Sequence, residues 1–482
     1  MTSPATKVNK TEAINYLKVR DDRSVVELVP DTSSAGDACF KIISEKPSWG
    51  AGEHVSLGEL RARIEPWLVA LFQSEHLALL AGSGLTTAVH LLAAKKRGAG
   101  MSGCVGTGKL AGLINKAAAE SAKLAGREPK PLPEDVSRRS NIEDKIRVAN
   151  ELLRGYEILG EERNANEVRA AIEAALRSLA IAVLVDERNI VSAEPKARQD
   201  AFDTLVSFLA SFASRTGTRD RLHVFTTNYD RIIELGAELA GIHLLDRFVG
   251  SLTPIFRSSR LDLDLHYNPP GIRGEPRYLE GVVRFTKLHG SLDWVQSGRD
   301  VRRLGLPVGA KDVEPYLHAP GLDSASPHAL MIYPNAAKDR ETAGFPFVEL
   351  FRDMASAVCR PNSCLVTYGY GFGDEHINRV IEDMLTLPST HLVIISYDDP
   401  LGRMRELAEK RPAQVSLLIG PNLADICTLA NHFLPKAAID RATSRMSEVL
   451  KSRFGTKSEH EGIGARQDKE NALAAVDSGV DE

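Results

Sequence analysis

Short apolar runs that end at a glycine-rich or polar turn and lead into a helix recur along this chain. The clearest example is the run at residues 364–370, which ends in the glycine turn 369–373 and continues into a helix with an apolar stripe, which Asp374 can cap. Helices that connect buried strands carry the chain back across the sheet, so such units build parallel sheets. The pattern therefore predicts an α/β fold.

Five further runs have the length and apolar character of buried strands. They lie at residues 77–80, 222–226, 282–288, 391–397 and 415–419. Ligands of parallel sheets bind beyond the carboxyl ends of the strands. The turns that follow these runs are therefore the first candidates for a functional site.

Changes in composition divide the chain into parts. Residues 1–74 are predicted to be an N-terminal extension, in which residues 1–60 mix short apolar stretches with turn residues and are predicted to be irregular, and residues 60–72 have the spacing of a helix with one buried face. A domain at 75–420 follows, and its segment at about 109–215 is rich in helix-forming residues, which predicts a large helical insertion or a small helical domain. Residues 421–455 are predicted to be a helical segment, and the acidic tail 456–482 is predicted to be disordered.

The overall composition excludes several classes of protein. The 482 residues are 43% hydrophobic and 26% charged, which is typical of a soluble globular enzyme and excludes collagen-like and wholly disordered chains. The formal net charge of −4 offers no basic field for nucleic acid, so any contact with nucleic acid is expected to be indirect. The apolar runs are far shorter than the ~20 residues that span a bilayer. We expect no membrane association and a cytoplasmic location.

The cysteines favour a reducing compartment and predict no metal site. A structural zinc site needs two close ligand pairs, and only Cys359 and Cys364 lie near each other in the sequence. The five cysteines are too few and too scattered for a disulfide framework. They are Cys39, Cys104, Cys359, Cys364 and Cys427.

Four of the turns bring polar groups or glycines to the ends of predicted strands. Glycines let backbone amides approach a pyrophosphate, and the start of the following helix favours negative charge. Asn228 and His289 add an amide and a potential base. Each turn alone has a structural explanation as a turn, a helix cap or a buried histidine, but the four together favour a nucleotide site. The candidate residues are Gly82, Ser83, Gly84 and Thr86; Thr227, Asn228 and Asp230; His289; and Gly369, Tyr370, Gly371, Phe372 and Asp374.

The glycine-rich stretch 103–110 competes for the role of phosphate-binding loop. It fits the P-loop pattern up to Lys109, but Leu110 replaces the Ser or Thr that ligates magnesium. The polar residues 95–100 precede it where a buried strand is required. We interpret the stretch as a flexible lid or linker into the helical insertion, with Lys109 able to attract phosphate.

The turns resemble sirtuin motifs in the same order along the chain. Residues 82–86 resemble the Gly-Ala-Gly-Ile-Ser turn of sirtuins, residues 227–230 resemble their Gln-Asn-Ile-Asp, and residues 288–291 match their Leu-His-Gly-Ser. The stretches 226–230 and 369–378 resemble the bacterial sirtuin-like branch that is associated with antiphage defence. The resemblance covers about residues 75–420 and implies a Rossmann-like, sirtuin-like sheet.

Two departures distinguish the chain from deacetylating sirtuins. The four-cysteine zinc module that usually follows the His-Gly motif is missing, and residues 87–90 begin a helix where those enzymes continue with Ile-Pro-Asp-Phe-Arg. Both departures argue against acyl-lysine chemistry. The resemblance to the defence-associated branch instead implies hydrolysis of NAD to nicotinamide and ADP-ribose, with NAD as substrate and no metal.

The resemblance also implies roles for individual residues. Asn228 would orient the ribose hydroxyls or a water molecule, and His289 would act as general base. Asp230 would orient the loop or contact the ribose, although capping the following helix is an equally good interpretation. The glycine turns at Gly82 and Gly369 would hold the pyrophosphate and the adenosine half.

The implied function is an NAD glycohydrolase that acts as an effector of abortive antiphage defence. The alternatives are a non-catalytic subunit that senses NAD or ADP-ribose, and an NAD-dependent protein deacylase. An enzyme that destroys NAD has to be held silent, which implies a homo-oligomer or a partner. Only about 60 residues follow the predicted sheet, too few for a fused sensor domain, so the expected partner is a separate HerA-type hexameric ATPase.

Overall fold

The computed structural model describes most of the chain up to Lys436. The chain divides into a compact unit at Met1–Pro435 and a second unit at Lys436–Glu482. The predicted acidic tail 456–482 and most of the predicted helical segment 421–455 lie outside the described residues. Those residues are 13–19, 21–31, 38–50, 52–98, 103–124, 140–213, 220–262, 265–267, 277–279, 281–322 and 345–436.

Helices and strands alternate through most of the described chain. The strands are β1 (Asn15–Lys18), β2 (Val26–Asp31), β3 (Cys39–Ile42), β4 (His54–Ser56), β5 (His76–Ala81), β6 (His223–Thr226), β7 (His243–Leu245), β8 (Phe248–Val249), β9 (Ile255–Phe256), β10 (His266–Tyr267), β11 (Arg277–Tyr278), β12 (Val282–Lys287), β13 (Trp294–Ser297), β14 (Asp300–Arg303), β15 (Ser363–Tyr368), β16 (His391–Ser396) and β17 (Val415–Ile419). The helices are α1 (Leu57–Phe72), α2 (Ser83–Ala94), α3 (Gly108–Leu124), α4 (Ile142–Leu159), α5 (Glu162–Val191), α6 (Pro195–Ala213), α7 (Ile232–Leu239), α8 (Phe347–Val358), α9 (Glu375–Met384), α10 (Arg403–Lys410) and α11 (Ile426–Thr428).

The prediction of an α/β fold with a Rossmann-like parallel sheet is confirmed. Neighbouring strands of the main sheet follow the order β4-β3-β2-β1-β17-β16-β15-β5-β6-β12-β7, and every pair from β17 to β7 is parallel. The chain leaves β5 on one side through β6 and β12 and returns on its other side as β15, β16 and β17. The order therefore reverses between β5 and β15, which is where sheets of this kind bind ligands.

The register brings the ends of the central strands to one edge. Ala81 lies opposite both Tyr368 and Thr226, and Thr226 lies opposite Lys287. The turns after β5, β6, β12 and β15 consequently start side by side. Strands β5, β6 and β15 are buried along almost their whole length, because helices cover both faces of the sheet.

The prediction that residues 1–60 are irregular is wrong, whereas the helix predicted at residues 60–72 is present as α1. Strand β1 pairs antiparallel with β17, with Tyr16 opposite Ile419, and β2, β3 and β4 extend the same sheet. These strands have three to six residues each, and their order is set by pairing with a strand at the other end of the sequence. Local patterns do not contain that information.

Four helices, α3 to α6, occupy the described residues between β5 with its helix α2 and β6. Apolar residues of α4 and α5, including Ile146 and Ile172, pack into a separate core that also contains Tyr229 from the turn after β6. This helical insertion therefore contacts the predicted site. Within the described residues, none of the helices has the length and apolar composition needed to cross a bilayer.

The glycine-rich stretch 103–110 leads directly into the first helix of the insertion. Helix α3 begins at Gly108, Lys109 is exposed, and the Lys145 ammonium donates a hydrogen bond to the Gly103 carbonyl at 2.5 Å. Among the described residues before the stretch, 95–98 form no strand. The surroundings of a P-loop are not found there, and the stretch serves as a linker.

Candidate active site

Two glycine turns meet backbone to backbone at the point where the strand order reverses. The Gly84 amide donates a hydrogen bond to the Gly369 carbonyl at 3.0 Å. A Cβ atom on Gly82 would lie 2.5 Å from that carbonyl oxygen, and one on Gly84 would lie 2.5 Å from the Gly369 Cα atom. Gly369 itself has a φ of +60°. Side chains at these positions would force the turns apart, so glycine is required by the close approach.

The turn after β6 is joined to α2 by a chain of hydrogen bonds. The Asn228 Nδ2 donates to the Gly82 carbonyl at 3.0 Å and to the Thr86 Oγ1 at 2.9 Å, and the Thr86 hydroxyl donates to the Asp230 Oδ2 at 2.7 Å. Because a backbone carbonyl can only accept, these contacts fix which side of the amide carries the nitrogen. The Asn228 side chain is thereby locked in one orientation.

This orientation leaves the amide oxygen as the functional atom of Asn228. Both Nδ2 hydrogens are engaged, and no described residue donates to the Oδ1. Asp230 uses its other oxygen to accept from the Ile232 amide at 3.1 Å. Asp230 therefore orients Thr86 and holds the start of α7, while Asn228 keeps an acceptor for a ligand hydroxyl or a water molecule.

His289, in the turn after β12, is held by a carboxylate from another turn. Its Nε2 lies 2.8 Å from the Asp374 Oδ2, and both side chains are about 4% exposed. The Asp374 Oδ1 accepts from the His376 amide at 3.0 Å, so Asp374 also caps α9 as the sequence predicted. An ionised carboxylate only accepts, which assigns the ring proton to Nε2 and makes Nδ1 the basic nitrogen of His289.

The turn after β15 contributes mainly shape. The Tyr370 hydroxyl shares its one hydrogen between the Asp374 carbonyl and the Asn378 Oδ1 in α9, and burial raises the pKa of this hydroxyl well above its usual range. Phe372 is 5% exposed and has a φ of +52°, a backbone conformation that residues other than glycine adopt at an energetic cost. The hydroxyl of Tyr370 is thus unsuited to acid-base chemistry at neutral pH.

One cavity of about 520 Å³ collects most of the residues proposed from the sequence. It is not lined by Gly84, Gly369 or Phe372, which instead determine the backbone conformation of the turns. The remaining candidates line it, and they are Gly82, Ser83, Thr86, Thr227, Asn228, Asp230, His289, Tyr370, Gly371 and Asp374. Their assigned roles stay predictions, but the geometry makes a common site possible.

Several lining residues were not anticipated from the sequence. His90 lies one helical turn after Thr86 on α2, and the spacing of three and four residues along α2 could have identified it. Most of the others belong to the helical insertion and its approach, and no local motif marks them. They are Asn141, Glu143, Val183, Asp186, Arg97 and Gly98.

The helical insertion also grips the Asn228 turn through a buried ion pair. Glu187 of α5 accepts from the Arg231 amide at 2.7 Å and from the Arg231 Nη2 at 2.6 Å, and the two side chains are 1% and 8% exposed. Burial raises the pKa of Glu187, although the contacts with Arg231 oppose the shift. The Tyr229 hydroxyl donates to Glu143 of α4 at 3.2 Å, which is a second contact from the insertion. The sheet contributes a contact as well, because the Lys287 ammonium of β12 donates to the Asp230 carbonyl. The position of Asn228 is consequently coupled to the insertion.

The comparison with protein families agrees with this geometry. Residues 222–415 match the model of the SIR2-like domain, a family of NAD-dependent enzymes. The match includes the turns of Asn228, His289 and Asp374, and it spans less than half of the chain. It supports a sirtuin-like family and the use of NAD. A search of curated proteins found no match to the chain.

The donor set of the cavity fits a dinucleotide better than a metal ion. Helix α2 begins at Ser83 without a side-chain cap, and Gly82 and Ser83 line the cavity there, where the helix dipole favours phosphate oxygens. The Asn228 Oδ1 provides an acceptor for a sugar hydroxyl. Among the described residues, no three His, Cys, Asp or Glu side chains are grouped as a metal ion requires.

Proposed function

We propose that this protein hydrolyses NAD+ to nicotinamide and ADP-ribose. The observation that supports the proposal most is that Asn228 and His289 line one cavity at the switch point of the sheet, each fixed in orientation by its own partners. Binding alone would not require an oriented amide and a carboxylate-held histidine in the same cavity.

The binding roles follow from the geometry of the turns. The uncapped start of α2 and the glycine turn at Gly82 suit the pyrophosphate, because backbone amides and the helix dipole favour negative charge there. The Asn228 Oδ1 would accept from a ribose hydroxyl or from the attacking water. These contacts would fix the reacting ribose against His289.

The chemistry needs a base and no external acid. The C1′–nitrogen bond breaks through an oxocarbenium-like transition state, and the bond electrons neutralise the pyridinium, so nicotinamide leaves uncharged. Water supplies the hydroxyl that forms ADP-ribose, and His289 takes the proton that the water gives up, directly or through a ribose hydroxyl. The Asp374 carboxylate stabilises the resulting imidazolium.

We further propose that the enzyme acts as an effector of antiphage defence and works in an assembly. Hydrolysis of NAD harms the cell that makes the enzyme, so the activity requires control. Apolar side chains stand exposed on the helical insertion, for instance Leu124 and Ile158 at 90% and 71% exposure, and they suit packing between copies or against a HerA-type hexameric ATPase. Coupling of the insertion to Asn228 would let such an assembly set the activity.

The test is the release of nicotinamide and ADP-ribose from NAD+ by the purified chain, alone and with a coexpressed HerA-type ATPase. We expect turnover in the wild type and in a control variant at an exposed position of the insertion, Glu157→Gln. Turnover should fall at least ~100-fold in Asn228→Ala and in His289→Ala, with both variants still folded by circular dichroism at the assay temperature. NAD+ that binds tightly and is recovered intact under every condition would favour the sensing subunit, and nicotinamide release only with an acyl peptide would favour the deacylase.

A further inference from the structure

A second cavity lies at the opposite edge of the main sheet, where the parallel strands begin. It has a volume of about 270 Å³ and includes His76 and His223, the first residues of β5 and β6. Residues of the loop after β7 and of α8 complete it. The strand register separates it from the candidate active site by the length of the strands, so the two cavities are distinct.

The charged residues of this cavity are predominantly basic. Among the described residues that line it, five are arginines and three are carboxylates, so the arginines exceed the carboxylates by two. Guanidinium groups this close repel one another, and burial strengthens that repulsion. The arginines are Arg221, Arg247, Arg284, Arg352 and Arg360, and the carboxylates are Asp220, Glu349 and Asp353.

Each carboxylate of the cavity already has a cationic or histidine partner. Asp353 forms a bidentate ion pair with Arg247, with an Nε–Oδ2 distance of 2.8 Å and an Nη2–Oδ1 distance of 2.5 Å. Asp220 accepts from Arg360 at 3.3 Å and lies 3.0 Å from the His76 Nδ1. The carboxylates therefore have little capacity left to neutralise the remaining positive charge.

Three arginines have capacity left for an anion. Arg247 is 7% exposed, and its Nη1 is buried and donates to no described acceptor. Arg360 and Arg352 each make a single hydrogen bond to a carboxylate, at 3.3 Å and 3.2 Å, and their side chains are 41% and 64% exposed. A buried cationic donor without an acceptor is unfavourable, and an anion would supply one.

The neighbouring histidine reports the same field. Burial lowers the pKa of His223 well below its usual range, and Arg284, Arg247 and Arg360 lower it further. His223 is therefore neutral, with its Nε2 2.9 Å from the Thr286 hydroxyl. The arginines therefore make this cavity unfavourable for a further positive charge and favourable for an anion.

We propose that this cavity binds a phosphate group, either inorganic phosphate or the terminal phosphate of a nucleotide. Arg247 would form the floor, and Arg352 and Arg360 would approach the phosphate from the open side. Planar guanidinium groups match the spacing of phosphate oxygens, and arginine retains its charge when it is partly buried. Occupation of this site would stabilise the start of β5 and β6 and would not require NAD hydrolysis.

The test compares thermal unfolding of the full chain in sodium phosphate and in sodium chloride at equal ionic strength. A ligand that binds only the folded state raises the unfolding midpoint by an amount that grows with the logarithm of its concentration once that concentration exceeds Kd. We expect this logarithmic rise in phosphate but not in chloride, and in Arg352→Gln/Arg360→Gln we expect it to begin at a phosphate concentration at least tenfold higher. The control Arg154→Gln/Arg177→Gln removes two exposed arginines that also pair with acidic residues and should behave as wild type.

Further arms distinguish the source of the phosphate. Adenosine, AMP and ADP are compared in the His289→Ala variant with and without the two arginine substitutions. A shift for AMP or ADP that depends on Arg352 and Arg360 assigns a nucleotide phosphate, and a shift for inorganic phosphate alone assigns the free ion. Equal effects of phosphate and chloride, or an undiminished phosphate effect in Arg352→Gln/Arg360→Gln, would overturn the proposal.

Discussion

The two sides of the candidate active site are held in different ways. His289 is held by the carboxylate of Asp374, which comes from the turn after β15, at the same edge of the sheet but three strands away from β12. Asn228 is fixed by neutral hydrogen bonds to α2, and its turn is tied to the helical insertion through Glu187 and Arg231. Under the proposed mechanism, the insertion can therefore influence the orientation of the substrate by Asn228 more directly than proton transfer by His289.

The largest effect on activity is expected from Asp374→Asn. Asparagine still caps α9, but it can donate to the His289 Nε2 and so favour the wrong ring tautomer, as in Ser-His-Asp triads. We expect kcat to fall ~100- to 10,000-fold with little change in KM or in the free energy of unfolding, measured by NAD+ turnover and denaturant titration. Asp383→Asn, at an exposed position of the same helix, is the matched control and should retain full activity.

A similar loss in Asp383→Asn, or a large loss of stability in Asp374→Asn, would contradict a local, orienting role for this carboxylate. Asp374 would then not act by orienting His289.

A smaller loss of activity, accompanied by a loss of stability, is expected from Glu187→Gln. The substitution leaves Arg231 charged and buried without a counter-ion, and removing one partner of a buried pair costs about 3–5 kcal/mol when the other charge stays buried. We expect turnover to fall ~10- to 100-fold because the Asn228 turn loosens. Glu157→Gln breaks surface pairs on the same insertion, where the expected cost is under about 1 kcal/mol.

Wild-type turnover by a destabilised Glu187→Gln variant would show that the insertion stabilises the fold without positioning Asn228.

Thr86→Val tests the link between Asn228 and Asp230 and should cost about tenfold in kcat/KM. Valine has nearly the same shape but removes the hydroxyl that accepts from Asn228 and donates to Asp230. Losing such a bridge is worth about 1–2 kcal/mol, and ~1.4 kcal/mol corresponds to a factor of ten. Thr86→Ser restores the hydroxyl and should restore most of the activity; equal rates for the two variants would remove Thr86 from the network.

The smallest effect is expected from Tyr229→Phe, which removes the hydroxyl that donates to Glu143. The ring stays in the core of the insertion, so unfolding should change by about 1 kcal/mol and turnover by less than about fivefold. Tyr156→Phe, on the rim of the same core, is the comparison. A larger loss of activity in Tyr229→Phe than in Thr86→Val would show that the contact of Tyr229 with the insertion matters more for turnover than the Thr86 bridge.

The sequence predicted the parts of this site that depend on local pattern. Each parallel strand predicted from an apolar run is present, and the parallel register alone brings Gly82, Asn228 and His289 to one edge. Asp374 was expected to cap a helix and to contact the ligand, but its contact with His289 joins residues 85 positions apart and depends on how two turns face each other.

Other features depend on long-range packing and could not be predicted. Strand β1 is a strand because β17 offers it an edge, and its four residues carry no distinctive pattern. Glu187 lies on a helix rich in charged residues, and nothing in the sequence distinguishes it from the solvated glutamates around it. Only the tertiary structure shows that it is 1% exposed and faces Arg231.

Hydrolysis of NAD+ in this cavity is tested most directly by turnover in water enriched in oxygen-18, with no acyl peptide present. If the cavity catalyses hydrolysis with His289 as base, the wild type will release nicotinamide and ADP-ribose in equal amounts, and each ADP-ribose will contain one heavy oxygen at C1′. His289→Ala will release neither product. Nicotinamide release without labelled ADP-ribose, or the same labelled product at an undiminished rate from His289→Ala, would contradict the account.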